Sequence, residues 1–213
     1  LVSNYPDQYL NLFTPPPVSI TYWNGDLFYL ENEIKKYEFE KNTSNSISTS
    51  NRLLDDPPFV DLRKYIHAFV QRYTEKVFRT RQKIDVMQSW VNITNDGESH
   101  PKHYHPNSYL SGVMFIKSAP DSPPLIFENH IRPHQLFVDL LDGGDDDLKP
   151  NEFKSCISPV EHIAPLQGTI VLFPSPTPHL VPKSSSKEER ITLAFNTWPA
   201  RPFGSEKDVT YVY

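Results

Sequence analysis

The chain has one cysteine, Cys156, in 213 residues. A single thiol excludes an internal disulfide framework and fits a reducing compartment, where it reads as a small buried side chain. Excess positive charge is missing too. Lys and Arg total 21 against 26 Asp and Glu, for a formal net charge of -5. No basic patch stands out, which argues against a general nucleic-acid or anionic-membrane surface. No apolar stretch approaches the roughly 18 residues of a membrane span. The opening LVSNYPDQYL lacks the basic-plus-apolar pattern of a secretory signal. The expectation is a soluble, cytoplasmic protein with no nucleic-acid or membrane partner; the start at Leu1 points to a natural N-terminus further upstream. Internal repeats are absent, and the length suits one domain with a properly buried core.

What is present is proline, at 21 residues, and aromatic side chains, at 13%. Both favour short extended segments broken by turns over a helical bundle. Helix is expected in two places. From Pro58 to Phe78 apolar residues recur at three- and four-residue spacing, with Asp55 and Asp56 placed to favour the N-terminal end. A weaker helix is expected from about Asp26 to Lys36, after the Asn24-Gly25 turn signal. The polar run NTSNSISTSN, 42 to 51, has nothing to bury and reads as a loop. Asn42-Thr-Ser and Asn92-Ile-Thr match the glycosylation pattern, and chance explains both without a secretory signal.

From Lys83 the period becomes two. Ile84, Val86, Trp90 and Asn92 are expected on one strand face, with Met87, Val91 and Ile93 on the other. Further strands are expected at 109–117, 124–128, 135–140, 158–163, 169–173, 179–182 and 190–198. Eight short strands fit a mainly β, two-sheet jelly roll. Residues 83–200 would form its core, and 1–82 a helical and loop support region. The acidic stretch LLDGGDDDLK lacks the spacing of a calcium loop and reads as a solvated turn. It lies in the long segment 129–162, expected to cover the mouth of any site, with 132–153 as a mobile lid.

The segment HPKHYHPNSYLSG packs three of the eight histidines into six positions. In extended chain His103 and His105 project to one face and Tyr104 to the other, with His100 on the approach. His179, at the end of another strand, is the natural third ligand. In EERITLAFNTW, Arg190, Thr192, Ala194 and Asn196 share one face and Ile191, Leu193 and Phe195 the other. The second set is core. The first offers a guanidinium and a hydroxyl to a carboxylate, the plainer alternative being a surface salt bridge from Arg190 to Glu188 or Glu189.

These residues together resemble the iron(II)- and 2-oxoglutarate-dependent oxygenases, in the group with the signature W-x-N, G, H-x-x-H-x-H-P-x-S-x-x-S-G-V, G-x-x-x-x-F-P-S, H and R-I-x-x-x-F-N. The matches are Trp90, Asn92, Gly97, His100, His103, His105, Pro106, Ser108, Ser111, Gly112 and Val113. Downstream they are Gly168, Phe173, Pro174, Ser175, His179, Arg190, Ile191, Phe195 and Asn196. The resemblance implies a double-stranded β-helix with flanking N-terminal helices. It implies iron bound by His103 and His179, with His105 at the remaining position, and 2-oxoglutarate held by Arg190 with Thr192 beside it. Asn92, Ser111 and Asn196 are further candidates for the cosubstrate pocket.

The wider superfamily places a carboxylate where His105 stands; Glu98 and His100 are the alternatives for that position. The implied reaction consumes O2 and 2-oxoglutarate, releases succinate and CO2, and hydroxylates a C–H bond of an unidentified substrate. That substrate is a protein or peptide residue, prolyl among them, or a small molecule. Phe115, Phe127 and Phe173 would wall off the site, or serve simply as core.

Two rivals stand beside this reading. Gly97 and His103-x-His105 match the opening of a cupin motif, but Tyr109 and Leu110 stand where the cupin glutamate belongs. A non-enzymatic jelly-roll binding module would give Arg190 no role.

Overall fold

A computed structural model describes residues 17–128 and 160–204. Eleven antiparallel strands build two sheets. The larger runs in the order β1 (Ser19–Tyr22), β9 (Thr169–Pro174), β6 (Leu110–Lys117), β11 (Arg190–Pro199), β4 (Ile84–Thr94), β3 (Ser46–Ser48) and β2 (Phe39–Lys41). The smaller runs β5 (His100–His103), β10 (His179–Val181), β7 (Leu125–Glu128) and β8 (Val160–Ile163). The chain is mainly β, with the two-layer strand arrangement of a double-stranded β-helix. Seven of the eight expected strands are present. The eighth, at 135–140, lies outside the described residues, as do the acidic turn, the lid segment 132–153 and Cys156.

The outer face of the large sheet is closed by α1 (Leu27–Ile34) and α2 (Val60–Tyr73). On α2, Leu62, Ile66, Phe69, Val70 and Tyr73 recur at helical spacing, so one stripe is apolar and buried against Val91, Leu193 and Phe195 in a single cluster. Complete burial of each such side chain stabilises by roughly 1.5–3 kcal/mol. Close packing here requires Gly112, since a Cβ there would lie 2.1 Å from the Phe195 ring. Between the sheets, Phe115, Leu125, Phe127, Val171, Phe173 and Val181 form a second, smaller core.

Four details depart from the sequence reading. The expected loop at 42–51 contains β3, and Asn45 and Ser48 are buried. Serine is tolerated there because the Ser48 hydroxyl accepts from Val91 N at 3.0 Å and donates to Ser50 O at 2.7 Å. The N-terminal region also contributes β1 and β2 to the large sheet, so it is more than helical support.

The alternation expected along β4 breaks at Met87. Gln88 pairs with Asn196 and Val86 with Thr197, which leaves Met87 as an extra residue, half exposed. That bulge switches the phase: Ile84, Val86 and Val91 share the outer core, while Trp90 and Asn92 face between the sheets. Finally, Asp55 and Asp56 do not cap α2. Asp55 pairs with Arg52 and Arg63, and Asp56 accepts from the Tyr37 hydroxyl at 2.6 Å. Among the described residues no helix is long and apolar enough to cross a membrane.

Candidate metal centre

The strand register brings the histidines together. In the small sheet β10 lies between β5 and β7, and His179 is paired with His103 on one side and Phe127 on the other. Their imidazole centroids are 4.2 Å apart. His105 follows β5 in a loop whose course is fixed by its own N–H, which donates to Ser175 O at 3.0 Å. Its ring lies 5.1 Å from His103 and 5.2 Å from His179. Tyr104, between the two histidines, is exposed on the opposite face, as alternation requires. Gly97, at a φ of +79°, turns the chain from β4 into β5.

One nitrogen from each of His103, His105 and His179 lies within 4.8 Å of the others. The Nδ1 atoms of His103 and His179 lie 2.8 Å from Pro101 O and 2.9 Å from Thr177 O. A carbonyl only accepts, so both Nδ1 atoms carry a proton, which leaves Nε2 as the nitrogen each ring can offer to a metal ion. Burial, reinforced by neighbouring His103, pushes His179 down to about 3 and His105 down to about 4. Both rings are therefore neutral near pH 7, the state a metal ion needs. The donor set suits a divalent first-row ion such as iron(II).

Beside the histidines is a cavity of about 240 Å³ between the sheets. Arg190 and Thr192 from β11 line it, with Trp90 and Asn92 from β4, Val113 from β6 and Phe173 from β9. Arg190 is 3% exposed, its Nε has no partner, and among the described residues no carboxylate pairs with it. Burial lowers it to about 10, so it stays charged at neutral pH. Its guanidinium carbon sits 5.2 Å from the centre of the Phe115 ring. The alternative salt bridge is not formed: Glu189 pairs with Lys117 at 3.0 Å and Lys35 at 3.6 Å. Asn92, directly across from Thr192 in the register, also has an unpartnered buried Oδ1. Among the described residues these two atoms are the only orphaned buried side-chain polar atoms, and both belong to residues of the cavity wall.

Ser111 and Asn196 are not brought to that wall. The Ser111 hydroxyl donates to Asn196 Oδ1 at 2.7 Å and bonds to Ser175 Oγ at 2.8 Å, in a network that continues to Ser108. Asn196 keeps the inward side of β11, paired with Gln88 and Ser111, but lies beyond Ala194, the last β11 residue on the cavity wall. Glu98 is also elsewhere, its Oε2 accepting from Asn95 N at 2.7 Å. His100 does line the cavity and stacks on His103 at 4.4 Å. Asn42 and Ile47 line it as well. Sequence reasoning missed them because their segment carries only one apolar residue, Ile47, set between serines.

A family model described as "Putative 2OG-Fe(II) oxygenase" matches residues 88–196, just over half of the chain. The chain belongs to that family. No curated protein matches the sequence. Among solved structures, the fold is similar to an oxidoreductase of the 2OG-Fe(II) oxygenase family from Burkholderia pseudomallei, with TM-score 0.56 and 15% identity over 80% of this chain and 76% of that one. It is also similar to a prolyl-4-hydroxylase from Pseudomonas putida, with TM-score 0.54 and 13% identity over 86% and 93%. A third is HygX from Streptomyces hygroscopicus, with nickel and 2-oxoglutarate bound, at TM-score 0.58 and 10% identity over 88% and 84%. At such identities the likeness concerns the fold. Membership of an oxygenase family makes the chain an oxidoreductase of that kind and removes the support for the cupin and binding-module readings.

Proposed function

We propose that the chain is an iron(II)- and 2-oxoglutarate-dependent dioxygenase that hydroxylates a C–H bond. Its substrate would be a peptide residue, prolyl among them, or a small molecule. Arg190 carries the reading: a buried guanidinium with no counter-ion among the described residues, on the wall of the cavity beside three converging imidazoles, fits an anionic cosubstrate. His103, His105 and His179 would hold the iron, and Arg190 with Thr192 the distal carboxylate of 2-oxoglutarate. When bound, iron and cosubstrate supply the oxidising power, with release of succinate and CO2.

The protein's part is placement. The carbonyls of Pro101 and Thr177 fix the tautomer and tilt of two ligand rings. Arg190, held against Phe115, would present a planar fork that a carboxylate can meet with two parallel bonds. Trp90, Val113 and Phe173 give the cavity an apolar wall. Both substrate kinds occur among the structural neighbours, which include the prolyl-4-hydroxylase and HygX with hygromycin B bound.

The test is 2-oxoglutarate affinity, and succinate formation in the presence of iron(II) and O2, for wild type, Arg190→Gln and Arg190→Lys. Losing one partner of a desolvated charge pair costs roughly 2–5 kcal/mol, or about 30-fold to several thousand-fold in affinity. Lys restores the charge but not the fork and should recover part of the loss. Metal binding should persist in both variants. Wild-type affinity in Arg190→Gln would overturn the assignment.

A further inference from the structure

We propose that His100 is the substrate-side hydrogen-bond donor of this cavity, and that the group it receives is a carboxylate. The inference rests on the oxygenase reading and adds the substrate's chemistry to it.

Four imidazoles line the cavity, and their tautomers divide them. His103 and His179 each face a carbonyl with Nδ1, which leaves Nε2 as the nitrogen each can offer to a metal ion. His100 is reversed. Its Nδ1 lies 3.5 Å from Asn45 Nδ2, and an amide nitrogen only donates. Nδ1 of His100 is therefore the acceptor, and the proton of the neutral ring sits on Nε2. Asn45 is 2% exposed, and its backbone carbonyl accepts from Asn42 N at 2.8 Å, so the main chain that carries this partner is built into the turn that precedes β3. A ring in that tautomer does not ligate through Nε2. It offers an N–H to an acceptor.

Charge identifies the acceptor. Among the described residues no Asp or Glu lines the cavity. Three neutral imidazoles bring no charge to a divalent ion, whereas two histidines and a carboxylate bring one negative charge. A divalent ion and Arg190 together carry three positive charges, and 2-oxoglutarate carries two negative ones. One positive charge remains in a low-dielectric cavity, where an uncompensated charge is costly. A substrate carboxylate neutralises it and accepts the His100 N–H.

The carboxylate can belong to a free small acid or to an acidic residue of a peptide, and two probe pairs separate these sources. The full chain, loaded with Ni(II) and saturating 2-oxoglutarate, is titrated calorimetrically with N-acetylglycine and its amide, and with N-acetylaspartate α-methylamide and the asparagine counterpart. Within at least one pair the acid should bind about tenfold tighter than the amide, as expected for a hydrogen bond to a charged group. A preference in the first pair indicates a free acid, and in the second an acidic side chain.

His100→Leu should collapse the preference to within about twofold, and His100→Gln, which keeps an N–H donor, should retain part of it. Ni(II) and 2-oxoglutarate affinities should stay at wild-type values in both variants. Equal binding of acid and amide, no acid binding at millimolar concentration, or a preference that survives His100→Leu would overturn the proposal. Loss of Ni(II) binding in both His100 variants would also overturn it, by making His100 a ligand. A wild-type chain that binds neither Ni(II) nor 2-oxoglutarate would refute the oxygenase reading itself.

Discussion

The two faces of β11 are both buried and do opposite things. Ile191, Leu193 and Phe195 belong to the helix-backed core and are wholly inaccessible. Arg190, Thr192 and Ala194 are almost as buried, yet they line a cavity. Exposure alone does not tell the faces apart. Satisfaction does, because the outer face is apolar and tightly packed while the inner face holds a charge with no carboxylate partner among the described residues. The outer side is packed against the helices, and the inner side is left open toward a cavity.

The largest effects should separate the sides cleanly. Phe195→Ala, in a pocket so tight that only glycine fits at position 112, should cost about 3–5 kcal/mol of stability. Melting should fall by roughly 10 °C or more, while the folded fraction still binds Ni(II) with wild-type affinity. His179→Ala should do the reverse. Even groups that only orient a ligand are worth 10–100-fold in metal affinity, so loss of the ligand should exceed about 100-fold. The metal-free melting temperature should move far less than in Phe195→Ala. If both variants lose stability and metal together, the faces are not separable.

The same strand shows how much of the molecule was legible from sequence. Alternation assigned Ile191, Leu193 and Phe195 to the core and Arg190 and Thr192 to the site, because β11 is regular over those positions. It failed along β4, where one extra residue, Met87, reverses every later assignment without any compositional signal. The segment 42–51 was misjudged for a different reason. A serine hydroxyl, Ser48, bonds both to Ser50 O within the segment and to Val91 N on β4, so burial there left no apolar trace. The histidine cluster was visible because His103 and His105 are two apart, but the pairing of His179 with His103 across β10 and β5 is a long-range contact that local sequence does not encode.

An intermediate effect comes from pH. Burial first, and mutual repulsion second, lowers His179 to about 3 and both His105 and His100 to about 4, against an ordinary value of 6.5. Between about pH 4 and 6.5 the unfolded chain binds more protons than the folded one, so stability rises with pH across this window and falls as pH drops through it. Each histidine contributes at most about 1.4 kcal/mol per pH unit. The metal-free protein should therefore lose melting temperature progressively below about pH 6.5. The Ni(II)-loaded protein should resist until protons displace the ion. Identical pH profiles with and without Ni(II) would contradict the placement of these rings in one site.

The smallest effect concerns stability at Arg190, and it sharpens the contrast most. On the outer face any truncation should destabilise, since every side chain there is matched by neighbours. Arg190 has left water with no carboxylate among the described residues to receive it, and its contact with Phe115 returns only part of that cost. Replacing it by Met, similar in length and apolar, removes the unpaired charge from the cavity. Arg190→Met should therefore raise stability by about 1 kcal/mol, some 2–4 °C in melting temperature for a chain of this size. It should still lose 2-oxoglutarate affinity, as is expected of Arg190→Gln. A residue that improves the fold when removed and abolishes cosubstrate binding is kept for the ligand. If Arg190→Met melts several degrees below wild type in the absence of ligand, the guanidinium is structural and the two faces of β11 are alike after all.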